Sequence, residues 1–171
     1  MRIGQERTNI LARWNQFISH APEGEWSKTA PLRILSFDIE CAGRKGIFPE
    51  ADIDPVIQIA NMVTRQGSFS LASLWRCVDS CCAGESKPFI RNVFTLNTCA
   101  HIVGSQVISF QDEAQLLLKW RDFVEQVDPD IVIGYNISNF DLPYLLDRAK
   151  ALKATKFPYL GRIMSTSRLF C

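Results

Sequence analysis

The stretch Leu32-Arg33-Ile34-Leu35-Ser36-Phe37-Asp38-Ile39-Glu40 sets two acids into an apolar run, and that conflict constrains the fold more than any other feature of the chain. The run begins after Pro31, is rich in branched and aromatic residues, and reaches Gly43 soon after Glu40. It therefore predicts a β-strand that ends in carboxylates. Side chains alternate along a strand, which puts Asp38 and Glu40 on one face and Phe37 and Ile39 on the other. Two like charges side by side repel, and each loses hydration. A divalent cation between them relieves both penalties, and hard oxygen ligands suit magnesium or manganese. The competing reading is a solvated strand end, since exposed carboxylates are common.

A length of 171 residues suits one domain with a real core, and 47% hydrophobic with 22% charged residues is the composition of an ordinary globule. The net charge of +1 neither announces a nucleic-acid partner nor excludes a local basic groove. No apolar run approaches the roughly 20 residues of a membrane span, and the start lacks a signal-peptide core, so the expectation is an intracellular protein with no membrane partner. Cysteines at 41, 77, 81, 82, 99 and 171 are irregularly spaced and read as reduced thiols. A zinc site from Cys77, Cys81 or Cys82, Cys99 and His101 lacks the usual paired knuckle, and elemental analysis would settle it.

Residues 1–30 read as the end of a preceding domain or a linker, with Trp14, Phe17 and Ile18 as possible anchors. The loop Gly43-Arg44-Lys45-Gly46-Ile47-Phe48-Pro49-Glu50 carries two cations that either meet a phosphate backbone or are solvated loop charges. Second and third strands are expected over Val56–Val63 and Phe89–Leu96. Between them, 68–84 is an atypical insert with three of the six cysteines. Excising it restores a turn, which suggests imperfect splicing or gene prediction and is tested by reading the transcript.

Ser109 and Asp112 resemble a capping box before a helix whose Leu116, Leu117, Trp120, Phe123, Val124 and Val127 form one apolar stripe. Ile131–Asn136 then predicts a short buried strand, reached by a crossover onto the first sheet strand. Asp141 starts a second helix, with Pro143 in its first turn, and is either a plain N-cap or a member of a site. If the last strand lies parallel to the first, Asp141 approaches Asp38 and Glu40. Three acids converging at strand ends suit two metal ions roughly 3.5–4 Å apart.

Ser36–Glu50 and Gly134–Leu145 resemble the first and second motifs of the proofreading 3′-to-5′ exonuclease domain of family B DNA polymerases, in particular its delta class of eukaryotic replicative enzymes. The likeness runs from about Trp14 to Arg162, apart from the insert. It implies an α/β, ribonuclease-H-like (DnaQ-like) exonuclease fold with a central mixed sheet, incomplete at its C-terminal side, over 31–163. It also implies two magnesium ions, manganese being possible. Asp38 would bridge them, Glu40 would complete the site that activates water, and Asp141 would hold the second ion.

The partner implied is the single-stranded 3′ end of primer DNA, and for the whole polymerase other delta subunits and a sliding clamp in the nucleus. Asn136 either donates to the terminal nucleotide or is a buried amide satisfied by backbone. Phe48 and Phe140 either stack on frayed bases or pack in the core. The family's third motif, Tyr-x-x-x-Asp, does not occur, and the tail 164–171 diverges. A catalytically incompetent DNA-binding or interaction fragment is therefore the alternative function, and an isolated chain of weak activity is expected.

Overall fold

The computed structural model describes residues 13–27, 31–66 and 88–161. The insert 68–84 and the tail 164–171 lie outside the described residues. Trp14, Phe17 and Ile18, the expected anchors, are exposed in a segment with two short 3₁₀ turns, so their apolar area is not buried in the core.

Among the described residues, five strands make one sheet: β1 (Leu32–Cys41), β2 (Val56–Gln66), β3 (Ile90–Leu96), β4 (Gln106–Phe110) and β5 (Ile131–Ile133). Their spatial order is β4-β3-β2-β1-β5. The pairs β1/β2 and β2/β3 are antiparallel, while β3/β4 and β1/β5 are parallel, so the sheet is mixed as expected. Helix α1 (Glu113–Val127) leads from β4 at one edge to β5 at the other, and α2 (Asp141–Ala151) follows β5.

The alternation read from the first strand holds. Leu35, Phe37 and Ile39 are buried on one face, with Asp38 and Glu40 exposed on the other. The buried row meets Val56, Ile59 and Val63 of β2, Phe94 of β3, and the stripes Leu116, Leu117, Trp120 of α1 and Leu145, Ala149 of α2. Trp120 packs against Phe37 with ring centroids 5.1 Å apart. Its indole Nε1–H donates to Asn61 Oδ1 at 2.8 Å, which satisfies both polar groups in the core.

Two local expectations are corrected. Ser109 is not a helix cap: it lies in β4, a strand the sequence reading lacked, where its hydroxyl is 3.1 Å from that of Thr95. The cap of α1 is Asp112, whose carboxylate accepts from the Gln115 amide at 2.9 Å. The strand expected over 131–136 stops at Ile133 and is not buried, since Val132 and Ile133 are 40% and 47% exposed. Among the described residues β5 is an edge strand with one neighbour, β1, and that leaves its other side open. Its start is fixed by Asp130, whose carboxylate accepts from the Arg33 amide while its own amide donates to the Arg33 carbonyl, both at 2.9 Å.

Candidate active site

Pairing of β5 with β1 ends at Ser36–Ile133, so the β1 backbone beyond it must find other partners. Gly134 turns the chain here. A Cβ at this position would clash with the Ile137 side chain and stand 2.6 Å from the Phe37 carbonyl, so the close approach to β1 requires glycine. Asn136 adopts a left-handed φ of 54°, and its carbonyl accepts from the amides of Asn139 and Phe140 at 3.1 and 3.0 Å. This folded-back loop delivers the first residue of α2 to the end of β1.

That residue is Asp141, only 2% exposed. Its Oδ1 accepts the Ile39 amide at 3.2 Å. The plain N-cap reading is thereby corrected: the cap position is Phe140, which makes no side-chain cap bond, and the Asp141 carboxylate points across to β1. Burial raises the Asp141 carboxyl above its usual value; bonds from the amides of Ile39 and of Asp141 itself lower it, and the negative charge of Asp38 raises it further. Asp38 and Glu40 flank Ile39 on the exposed face, so Asp141, 102 positions beyond Ile39, is bonded to the residue that lies between them. Every candidate donor is a carboxylate oxygen, which fits a hard divalent cation. As the side chains stand, no three His, Cys, Asp or Glu residues among the described residues are gathered closely enough to hold a metal ion.

The rim of this strand end is aromatic. Phe48, from the β1–β2 loop, is 73% exposed, which corrects its reading as a core residue. Its ring meets that of Phe140 edge to face, with centroids 5.2 Å apart, and Phe140 in turn leans on Tyr144 at 5.5 Å. Asn136 is exposed as well, so it is not a buried amide satisfied by backbone; its Oδ1 accepts from Asn139 Nδ2 at 2.8 Å. Lys45 is exposed in the same loop as Phe48.

Arg44 does not sit alone in solvent: it is paired within its own loop. Its Nε and Nη2 donate to the two carboxylate oxygens of Asp54 at 3.0 and 3.2 Å, and it pairs with Glu50 at 3.2 Å. Asp54 also accepts the Glu50 amide at 2.8 Å, and that bond, followed by the one from Arg44, holds its carboxyl below the usual range.

Sequence reasoning missed this lock and its counterpart beneath α2. Tyr144 donates its hydroxyl to the Asp54 carbonyl at 2.7 Å, and Arg148 donates to the Ala51 carbonyl at 3.0 Å. Arg148 also forms a buried bidentate pair with Glu113 at 2.8 and 2.7 Å, and Glu113 accepts the Val56 amide at 2.7 Å. The periodic spacing of Phe140, Tyr144 and Arg148 at four-residue steps was the available signal. Cys41 lies beside Tyr144, and burial pushes its thiol up to about 11. Cys41 and Cys99 are free thiols.

The model of the DNA polymerase family B exonuclease domain matches residues 2–170. The chain belongs to this family. The match is wider at both ends than the stretch from Trp14 to Arg162 that the motifs suggest. The family B exonuclease chain is 65% identical over 150 residues to a DNA polymerase delta catalytic subunit of Drosophila melanogaster, covering 88% of this chain and 12% of that one. It is 56% identical over 162 residues to the DNA polymerase delta catalytic subunit of Schizosaccharomyces pombe, covering 95% and 13%. The chain thus spans about an eighth of the length of the curated relatives it matches. A solved family B DNA polymerase from the archaeon Pyrobaculum calidifontis is similar at 29% identity and a TM-score of 0.46, covering 77% of this chain and 13% of that one. With the family in place, the mixed sheet with both helices on one face is the ribonuclease-H-like fold. No helix among the described residues is long and apolar enough to cross a membrane.

Proposed function

We propose that this family B exonuclease chain is the proofreading part of a polymerase delta catalytic subunit and hydrolyses the 3′-terminal phosphodiester of single-stranded DNA. The observation that carries this reading is the bond from the Ile39 amide to the buried Asp141 carboxylate, which joins the acid of one motif to the residue between the two acids of the other. Asp38, Glu40 and Asp141 would hold two divalent ions, magnesium or, as a substitute, manganese. Bound there, the ions supply Lewis acidity that lowers the pKa of an attacking water and steadies the charge on the phosphate.

The chain itself binds and orients. Asp38 and Glu40 are exposed and, with Asp141, would hold the ions. Phe48 and Phe140 offer π-faces to the terminal bases, and the Asn136 amide donates to the last nucleotide. Lys45, exposed in the same loop as Phe48, would meet the phosphate backbone. DNA is the substrate, the nucleus is the setting, and further polymerase subunits with a sliding clamp are partners of the whole protein.

The open arrangement of the acids among the described residues favours a second reading, a fragment that binds DNA without cutting it. One experiment separates the two. The purified chain is incubated with a 3′-mismatched primer-template and magnesium, beside Asp38→Ala. Stepwise release of 3′ nucleotides that Asp38→Ala abolishes supports hydrolysis, whereas binding of the strand without release supports the second reading.

A further inference from the structure

Phe48 sits at the tip of a closed ring of chain. The Arg44 guanidinium pairs with Glu50 and with both oxygens of Asp54, and the Asp54 carboxylate accepts the Glu50 amide, so Arg44 to Glu50 is tied at its base by a side chain that is itself buried. The ring is then fastened to α2 twice, by Tyr144 to the Asp54 carbonyl and by Arg148 to the Ala51 carbonyl. Phe140 belongs to the same stripe of α2 and meets Phe48. Asp141, the next residue, turns instead to β1. One helix start therefore presents an acid to the strand end and, one residue earlier, an aromatic edge to the loop.

We propose that Asp54 is a positioning residue: acting through Arg44 and the Glu50 amide, it sets Phe48 against Phe140 as an aromatic clamp for the terminal bases of a single strand. This rests on the function proposed above and adds to it the device that grips the substrate. Asp54 does not touch the strand. Without its carboxylate the ring is closed only by the exposed Arg44–Glu50 pair, a weak tie, and Phe48 with one aromatic neighbour loses its fixed pose, so ordering it becomes part of the binding free energy. The loss then falls on strand binding and not on the chemical step.

The test compares the full chain with Asp54→Ala and, because Asp54 is buried, with Arg44→Gln, which alters only the half-exposed partner. A 3′-terminal 2-aminopurine reports stacking by its fluorescence, and steady-state cleavage separates KM from kcat. Both variants are expected to raise KM about tenfold, the scale of one lost base–aromatic stack, with the effect on kcat much smaller and the quenching of the terminal base reduced. The same loss is expected in Phe48→Ala, and adding Asp54→Ala to it should change little further. Unaltered KM and quenching in both loop variants, in a parent that binds and cuts, overturns this inference alone. A parent that neither binds nor cuts a 3′ single strand overturns the proposed function, and the clamp with it.

Discussion

Asp141 Oδ1 accepts the amide of Ile39 at 3.2 Å, so the acid that opens α2 is bonded to the residue separating the paired acids of β1. The carboxylate is buried, and burial raises its pKa. A raised carboxylate pKa means that the native state holds its proton more tightly than the unfolded chain does. That contribution to stability is full below the ordinary aspartate value and is lost as pH rises through the native one. Asp141→Asn keeps an oxygen for Ile39 and removes the charge. We expect it to be more stable than the parent at pH 7 by on the order of 1 kcal/mol, while abolishing cleavage. The gain should shrink toward about pH 3, where the parent carboxyl is neutral as well. Thermal melts across this range check it, and a variant less stable at pH 7 would contradict it.

Divalent ions should act on the parent in the opposite direction to that charge. Manganese at about 100 times its dissociation constant would stabilise the parent by about 2.7 kcal/mol, and chelation would reverse the gain. Asp38→Ala and Asp141→Asn should show little of it. Calorimetric titration measures the binding directly, and equal affinity in parent and variants would exclude these acids as the ligands.

The Arg148–Glu113 pair predicts a large and one-sided penalty. Both side chains are about nine-tenths buried, and the guanidinium is bonded to both carboxylate oxygens. Arg148→Met leaves a buried uncompensated carboxylate and should cost about 3–5 kcal/mol in urea unfolding. Arg148→Met with Glu113→Leu should recover part of this loss, though the Val56 amide then lacks its acceptor. A single variant within 1 kcal/mol of the parent, roughly the effect of an exposed pair, would show that the pair is solvated in solution.

Cys41 is expected to be an unreactive thiol, and the negative charge of neighbouring Glu40 adds to the effect of burial. With its pKa pushed up to about 11 by burial, little thiolate forms at about pH 8, so iodoacetamide should label it far more slowly in the native chain than in urea. Raising the pH through the interval between 9 and about 11 should also destabilise the fold, because the unfolded thiol ionises first. Peptide mapping after timed alkylation reads the first effect, and equal rates in both states would refute it.

Much of this architecture was legible because it is periodic. Alternation in β1 and the three-and-four stripe of α1 each repeat a signal over many residues, and both appear where the pattern puts them. Single interactions were not legible. Ser109 and Asp112 have the spacing of a cap, yet pairing with Thr95 on the neighbouring strand draws Ser109 into the sheet. Ile131 to Ile133 is apolar enough for a core strand, and only the order of the sheet reveals that it lies at an edge. The acids of the site could be named because they lie in recognisable motifs. The pairing of Arg44 with Asp54 could not be, since an ion pair closed across an irregular loop leaves no mark in the sequence between them.

Arg148 and Glu113 stand 35 positions apart, and either one without the other is a buried charge with no counterion. A lineage descending from such a chain cannot exchange one and then the other by neutral steps, because the intermediate carries a buried charge with no counterion. The couple is therefore a historical ratchet. Once two helices have been joined through it, α2 can acquire new surface residues and the β1–β2 loop new chemistry, while this junction is inherited whole or replaced in a single stroke.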